Sequence, residues 1–411
     1  MNTLWIVFVL FCAGYAWIGY VLAFPKKERN EREDDVPALS WETEGPIIEK
    51  ALEGVIHTRW QGEGPQGTLE LVGSLTGIAA SEAFDTVRKR LADTQIDVYF
   101  LGEEEAQVRL TFQRSHPPQP PSPKLLPSIL FFLTLATTAW AGGFHHGITL
   151  PLEPSKALLA FQGAWPIWAT LLAQDVTRYA IAFLHGIRLG PPYWLPAPLA
   201  LGTFGSVLPV RHSGVERRGL YDSAAFGVIA GLAVALPCLW FGLKNSSFVS
   251  GSPLPFAPGV PLRSSVFFWV FSQLAHGDKV TLEQRAVLDP LAFGGWVGLL
   301  VTTLNLLPVS GLNGGWLAHA LWGIRALRRI SLSTVLFLFL FCLFFWPALL
   351  SWVLFLSLLH LGPCRPVQNE LASPGWLRTL LGYLLWALAG LVLLPVPPSW
   401  KDLWTLHGPY L

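Results

Sequence analysis

A series of long apolar runs, separated by short polar stretches, is the feature that most constrains how this chain folds. Several runs reach the roughly 20 residues that an α-helix needs to cross the hydrocarbon core of a bilayer. Only 13% of the 411 residues are charged, against roughly 25% in soluble domains. The pattern predicts a polytopic α-helical membrane protein with about eight transmembrane helices. The predicted spans are Leu4–Phe24, Leu125–Trp140, Leu158–Leu184, Tyr221–Leu243, Leu291–Pro308, Leu332–Phe345, Ala348–Leu361 and Leu377–Leu394.

The positive residues that flank these runs predict an orientation. Lys26–Asp35 places a basic cluster beside the first run, so this segment is predicted to be cytoplasmic. Arg211–Arg218 and Arg325–Arg329 fall on the same side, whereas the connection Gly142–Pro154 on the other side has no lysine or arginine. Both chain ends are predicted outside. The net charge of +1 and the lack of a basic tract give no indication of a nucleic-acid partner.

The chain divides into four predicted parts. Residues 1–24 are predicted to be a retained transmembrane anchor, and a cleaved signal peptide is the alternative. Residues 25–124 form a cytoplasmic segment, which contains a small α+β domain at about 46–114 and then a stiff proline-rich linker. Residues 125–398 form the membrane domain. Residues 399–411 are a C-terminal tail.

The soluble α+β domain is predicted from alternating and helical patterns. Thr68–Val72, Ile96–Leu101 and Gln107–Phe112 alternate as half-buried strands do. Phe84–Leu91 carries an apolar stripe at helical spacing. The domain has no cluster of histidines, cysteines or paired acids that resembles a catalytic site. A regulatory or substrate-restricting role is therefore predicted for it.

Polar side chains interrupt the apolar runs at two places. Gln174, Asp175 and Arg178 lie near the end of one run, and Gln174 and Arg178 share one face of a helix. Asn305–Trp316 is the second polar stretch. Ionisable groups inside a membrane segment are costly and usually face a functional interior. Both stretches are therefore candidates for the functional site.

A proline-rich apolar stretch lies between these two places. Gly190–Pro198 is too rich in proline for a helix, and Leu201–Leu208 is strand-like with glycines. Irregular backbone at membrane depth is tolerated only against protein or a wet cavity. The stretch predicts a re-entrant loop with a short hairpin, whose edge can pair with an extended peptide.

Several stretches, in the same order, resemble the site-2 protease family of intramembrane zinc metalloproteases (peptidase family M50), and within it the plant chloroplast and cyanobacterial branch. The resemblance covers most of the chain after about residue 65. It implies a site-2 protease-like membrane core. The matching stretches are Leu71–Gly77, Gly186–Pro196, Leu201–Gly205, Tyr221–Gly231, Phe293–Pro308 and Gly311–Gly315.

The resemblance also implies where the family's zinc site would lie. Family members hold zinc through two histidines of an HExxH motif and an aspartate of an LDG motif, and the glutamate activates the bound water. Aligned through Gly186, the HExxH positions are Gln174–Arg178, and the aspartate position is Asn313. Both histidines and the aspartate are absent. Asp175 occupies the general-base position and is predicted to be inactive.

The chemistry of these replacements argues against a metal. A neutral amide at Gln174 is a poor zinc donor, and the guanidinium of Arg178 has no lone pair and repels a cation. Asn313 removes a negative charge. No zinc or other cofactor is expected. Because an unpaired buried charge is costly, Arg178 is expected to meet Asp175 or a wet cavity.

Other residues offer no convincing replacement chemistry. The remaining histidines are interpreted as structural, interfacial or solvated, and the scattered cysteines as packing residues. Ser206 and Ser310 lie near glycines but have no general base at a fixed spacing. The histidines are His145, His146, His185, His212 and His319; the cysteines are Cys12, Cys238, Cys342 and Cys364.

These observations predict a multi-pass protein of a plasma or thylakoid membrane that is proteolytically inactive and binds or chaperones membrane-protein segments. The alternatives are an active intramembrane zinc metalloendopeptidase with atypical ligands, and a transporter, which would need paired broken spans or internal repeats. The bilayer and membrane-protein segments, as clients or substrates, are the predicted partners. The predicted substrate groove is formed by Gly202, Thr203, Phe204, Gly205, Asn305, Pro308, Gly314 and Gly315.

Overall fold

The computed structural model consists of a small α+β unit and a set of apolar helices that surround a buried two-stranded sheet. It describes residues 2–24, 38–64, 67–102, 107–115, 125–148, 154–197, 201–210, 216–250, 260–344, 350–362, 367–372 and 374–396. Lys26–Asp35, the proline-rich linker, the Trp346-Pro347 break and the tail 399–411, all named above, lie outside these residues.

The described elements follow one another without internal repetition. In the N-terminal part they are α1 (Asn2–Ala23), α2 (Gly45–Leu52), β1 (Ile56–Glu63), β2 (Leu69–Leu75), α3 (Ala80–Arg90), β3 (Ile96–Gly102) and β4 (Val108–Arg114). In the remainder they are α4 (Leu125–His145), α5 (Ala157–Leu184), β5 (Tyr193–Ala197), β6 (Gly202–Val207), α6 (Arg217–Asn245), β7 (Ser247–Ser250), β8 (Val260–Pro261), α7 (Val266–His276), β9 (Gln284–Val287), α8 (Pro290–Leu304), α9 (Asn313–Phe344), α10 (Leu350–Leu361) and α11 (Trp376–Leu393).

The α+β unit is a four-stranded antiparallel sheet in the order β1-β2-β4-β3. Its alternating strands bury one face, as at Leu69 and Leu71, and α3 packs against the sheet through Phe84, which meets Phe100 edge to face. The predicted strand–helix–strand–strand order is present. Helix α2 and strand β1 precede it and were not predicted. Strand β1 is largely exposed on both faces, so it carries no alternation that a sequence could reveal.

Four described helices are long and apolar enough to cross a membrane by length and composition. The prediction of about eight spans is therefore not confirmed. Helix α5 is 28 residues long, but its polar residues lower its hydropathy. The four candidate spans are Leu125–His145, Arg217–Asn245, Asn313–Leu343 and Trp376–Leu393, and the shorter apolar helices are Cys12–Ala23, Val266–His276, Pro290–Leu304 and Leu350–Leu361.

Two regions of the membrane part differ from the sequence expectation. Helix α9 begins at Asn313, well before the predicted start at Leu332, and it is broken at Gly323, where φ is 80°. Helix α7 and the small sheet β7-β9-β8 were not predicted. The buried pair β5-β6 agrees with the predicted hairpin, and helices α5, α6 and α8 pack directly around it.

A short segment ties the soluble sheet to the membrane helices. The Phe100 N–H on β3 donates to the Gln368 carbonyl (2.7 Å), and the Glu370 N–H donates to the Phe100 carbonyl (2.9 Å). The segment thus extends the edge of the sheet. The Glu370 carboxylate meets His319 Nε2 of α9 at 2.7 Å, and Arg217 of α6 donates to the Glu370 carbonyl at 2.6 Å.

This connection has an expected pH dependence. Burial raises the pKa of Glu370, but the hydrogen bond and charge of His319, together with the charge of Arg217, lower it further, so the net pKa is below its ordinary value. A carboxyl group with a lowered folded-state pKa stabilises above the unfolded pKa, about 4.3, and loses this contribution as the pH falls through the folded value.

Hydrogen-exchange protection of the Phe100 and Glu370 amides, corrected for intrinsic rates, is therefore expected to be constant from neutral pH down to about 5 and to fall at lower pH. In the Glu370→Gln variant, protection is expected to be weaker and to lose this acid transition. A decrease between pH 8 and 6 in the wild-type protein would contradict the assignment to Glu370.

Candidate functional site

Three polar side chains of α5 lie in the interior of the membrane part. Gln174, Asp175 and Arg178 are 3%, 4% and 1% exposed. The helix turns them toward α6, α8, α9 and the β5-β6 hairpin, while Val176 between them is exposed on the opposite side. Each of the three has a different set of neighbours.

Asp175 fastens the two strands of the hairpin to α5. Its Oδ2 accepts a hydrogen bond from Trp194 Nε1 of β5 (2.8 Å), and its Oδ1 accepts one from Ser206 Oγ of β6 (2.6 Å). Trp194 and Ser206 are opposite each other in the sheet register. One carboxylate therefore clamps one residue of each strand, and the predicted partners Gln174 and Arg178 do not occupy it.

Gln174 joins α5 to α8. Its Nε2 donates to Thr302 Oγ1 at 2.8 Å, and Thr302 Oγ1 donates to the Gly298 carbonyl at 2.7 Å. Because the Thr302 proton is already used, the Gln174 side chain has to be the donor. A Cβ added at Gly231 of α6 would lie 2.5 Å from Gln174 Nε2, so this glycine makes room for the amide.

Arg178 lies with its guanidinium over the ring of Trp316, with 4.5 Å between Cζ and the ring centroid. Its Nε and Nη2 atoms are buried and have no hydrogen-bond partner within the described part of the chain. The direct ion pair with Asp175 predicted from sequence is not formed there, because the carboxylate bonds to the hairpin. Gly227 leaves space for the Arg178 side chain, since a Cβ there would lie 2.4 Å from Arg178 Cγ.

Asn313 is the first residue of α9 and is 3% exposed. Its Oδ1 has no hydrogen-bond partner among the described residues. Trp316, one helical turn later, is the residue that contacts Arg178. The structure thus brings Arg178 against the turn of α9 that Asn313 begins.

The residues predicted to line a groove pack against one another. All of β6 is buried, and the carbonyls of Gly202 and Phe204 accept hydrogen bonds from Thr137 Oγ1 (2.7 Å) and Asn305 Nδ2 (3.1 Å). Asn305 also accepts from the Gly314 N–H through its carbonyl, at 2.9 Å. An extended partner can reach the outer edge of β6 only after these side chains move away.

The remaining predicted groove residues pack closely or lie at the edge of this region. Thr203 and Gly205 are buried in β6, and Gly315 packs against the Val309 carbonyl. Pro308 is half-buried. The glycines therefore serve the close approach of backbones.

The other histidines have structural contacts. His185 lies 3.3 Å from Asp222, whose carboxylate also receives two hydrogen bonds from Arg378. His319 bonds to Glu370, and His145 stacks on Phe293. His212 lies outside the described residues. Ser206 donates to Asp175 in a buried pair, an arrangement without a histidine to accept and return a proton.

The donor set does not fit zinc. The three positions that would supply ligands hold an amide that donates to Thr302, a guanidinium without a lone pair, and a second amide. No group of three or more histidine, cysteine, aspartate or glutamate side chains suited to a metal ion is found among the residues the structure describes. The Asp175 oxygens, the nearest acidic ligands, are bonded to the hairpin.

Several residues of this region carried no recognised signal in the sequence. Gly227 and Gly231 have the same spacing of four as Gln174 and Arg178, which is a signal that could have identified them. Trp194, Trp316 and Thr302 could not have been found in this way, because only the packing of separate elements brings them to α5.

Comparison with known proteins identifies relatives that share a printed description. The chain is 32% identical over 240 residues to the probable zinc metalloprotease EGY2, chloroplastic, of Arabidopsis thaliana, which covers 57% of this chain and 42% of that protein. It is 27% identical over 373 residues to the probable zinc metalloprotease EGY1, chloroplastic, of the same plant, covering 81% and 66%. For the probable zinc metalloprotease EGY3, chloroplastic, of Oryza sativa subsp. indica, identity is 28% over 280 residues, covering 64% and 46%.

The chain spans about two fifths of the length of several relatives that it matches, including EGY2 of Arabidopsis thaliana (42%). No protein-family model and no solved structure matches it.

Replacing the glycines of α6 tests the close packing around α5. Gly227→Ala and Gly231→Ala are each expected to destabilise the protein by about 1–3 kcal/mol in reversible unfolding in detergent, because the new methyl group overlaps Arg178 or Gln174. Gly390→Ala in α11 is the matched control, since a Cβ there meets nothing within 4 Å. It is expected to be neutral or to stabilise by up to about 1 kcal/mol. Equal effects at the three positions would contradict the packing argument.

Replacing Asp175 tests its structural role. Asp175→Ala leaves two buried donors unpaired, at a cost of about 1–3 kcal/mol each, and is expected to increase hydrogen exchange across β5 and β6. Asp175→Asn retains one acceptor oxygen and is expected to lose less stability. A hairpin that stays equally protected in Asp175→Ala would exclude the clamp.

Proposed function

We propose that this chain, a homologue of the chloroplast EGY zinc metalloproteases of the site-2 protease family, is a proteolytically inactive membrane protein that binds segments of other membrane proteins. The observation that carries the proposal is the buried guanidinium of Arg178 against Trp316. It lies where the resemblance places a metal-binding histidine. A permanent cation at that position opposes the binding of a divalent cation.

The contacts of Asp175 support the same conclusion. A general base must reach the water or substrate that it deprotonates. Both Asp175 oxygens instead accept hydrogen bonds from Trp194 and Ser206, within a wholly buried environment. The side chain therefore acts on the hairpin, as a positioning group.

A binding role uses the parts that remain. The β5-β6 hairpin, the end of α8 and the start of α9 meet at Asn305, which bonds to β6, α8 and α9. Withdrawal of Thr137 and Asn305 from the outer edge of β6 would free two carbonyls for an extended segment. Chaperoning, sequestration or assembly of membrane partners would follow from such binding.

The second candidate is an active intramembrane zinc metalloendopeptidase with atypical ligands, and the printed descriptions of the relatives favour it. For the site described above it would need a metal held by residues other than Gln174, Arg178 and Asn313. We further propose that the protein spans a plasma or thylakoid membrane, with the soluble sheet on the cytoplasmic or equivalent face.

Metal analysis separates the two candidates. The purified full chain is expected to contain far less than one zinc per molecule. A variant with Gln174→His, Asp175→Glu, Arg178→His and Asn313→Asp is the matched comparison and is expected to bind zinc if the pocket retains the ancestral geometry. Stoichiometric zinc in the wild-type protein, lost on Asp175→Ala, would overturn the proposal in favour of the enzyme.

Capture of partners tests the binding role itself. The wild-type chain in detergent is expected to retain the same membrane-protein segments as Asp175→Asn, without producing cleavage fragments. Cleavage of a captured segment by the wild-type chain would contradict inactivity, and the lack of any captured segment would contradict binding.

A further inference from the structure

The two unpaired donors of Arg178 lie on the same edge of its guanidinium. Nε–H and Nη2–H point in parallel, and both are buried without a hydrogen-bond partner among the described residues. This edge is the fork that binds both oxygens of a carboxylate. Trp316 covers the face of the guanidinium at 4.5 Å, so its contact leaves the in-plane edge as the direction of approach.

The neighbouring polar groups do not satisfy this edge. Asp175 directs its two oxygens to Trp194 and Ser206. The Gln174 amide donates to Thr302. The Asn313 Oδ1 is itself buried without a donor. The arrangement is therefore a charged, bidentate donor in an apolar interior, and buried charges of this kind are normally paired.

We propose that the Nε–Nη2 edge of Arg178 is a carboxylate-binding site that recognises an acidic side chain in the membrane-embedded segment of a bound protein. This inference rests on the proposed binding function and specifies which segments are bound. A carboxylate matches the site because its two oxygens fit the fork and its single charge matches one guanidinium. An acidic residue inside a membrane is itself costly without a partner, so the pairing would select such segments.

The position of Arg178 sets the depth of the recognised carboxylate. Arg178 lies six residues before Leu184, the last residue of α5, which corresponds to roughly 9 Å along the helix. A partner carboxylate is expected at the same distance inside the membrane boundary on that side. A carboxylate at the bilayer centre or at the surface would not reach the guanidinium edge.

Access to the site involves the start of α9. The helical stretch that carries Asn313 and Trp316 lies between Gly311 (φ 88°) and Gly323 (φ 80°). Both glycines adopt backbone conformations that break a helix. Displacement of this stretch as a unit would uncover the Arg178 edge without unfolding the longer part of α9.

Synthetic transmembrane peptides test the proposal on the full chain in lipid nanodiscs. A set of Leu/Ala peptides carries one glutamate at the matching depth, one glutamine there, or neither, and binding is measured by photo-crosslinking over a concentration series. The glutamate peptide is expected to bind at least tenfold more tightly than the glutamine peptide. Moving the glutamate to the bilayer centre is expected to remove this preference.

Two variants identify the residue responsible. Arg178→Met retains an unbranched apolar chain against Trp316 and is expected to bind the glutamate and glutamine peptides equally. Arg178→Lys retains the charge without the fork and is expected to keep part of the preference. Hydrogen exchange of the hairpin, unchanged in both variants, verifies that they are folded.

The outcomes distinguish the two levels of proposal. Equal binding of all peptides to the wild-type chain would overturn the carboxylate site while leaving the binding function intact. Failure of every peptide and every captured protein segment to bind would overturn the binding function and the site with it. Binding of oleate that depends on Arg178, without preference for the glutamate peptide, would assign the site to a lipid carboxylate and overturn the side-chain assignment.

Discussion

A carboxylate and a guanidinium, placed within one turn of the same buried helix, impose the main constraint on this structure. Neither Asp175 nor Arg178 can be left in contact with lipid, because charged groups at membrane depth are costly. The shortest solution is an ion pair between them. The structure adopts another solution, in which the carboxylate binds the hairpin and the guanidinium rests on Trp316. The consequences extend to four neighbouring elements.

The first consequence concerns the hairpin. Two strands alone are marginal in stability, and their exposed edges cannot be left unpaired in an apolar environment. Here Asp175 bridges Trp194 and Ser206 across the strands, while Thr137 and Asn305 bond to the outer carbonyls of β6. Side chains thus replace the missing neighbouring strand. The position that the family resemblance assigns to catalysis has a structural task in this chain.

Part of this arrangement was predictable and part was not. The spacing of Gln174 and Arg178 correctly places them on one face of α5, and the prolines of Gly190–Pro198 correctly exclude a helix there. The partner of Arg178 was predicted wrongly, because sequence spacing reports only on neighbours within one helix. The partners that Asp175 selects lie 19 and 31 residues away on separate strands. Tertiary packing decides such contacts.

The fold shows the same division between local and tertiary information. Alternating burial made β2, β3 and β4 predictable, whereas the exposed strand β1 had no alternation to read. Hydropathy located the apolar helices but set the start of α9 too late. The residues Asn313–Trp322 pack against protein, not lipid, and their small and polar side chains do not resemble a membrane span.

That same short stretch of α9 connects the interior to the soluble sheet. It carries Trp316 against Arg178 and His319 against Glu370, whose backbone pairs with Phe100 at the edge of the sheet. A shift of the stretch that uncovers Arg178 has to break the His319–Glu370 bond or move Glu370 with it. Since Arg217 of α6 also donates to the Glu370 carbonyl, Glu370 is held from two helices at once. The bond to His319 is therefore the contact through which a change at the buried guanidinium would reach the soluble part of the molecule.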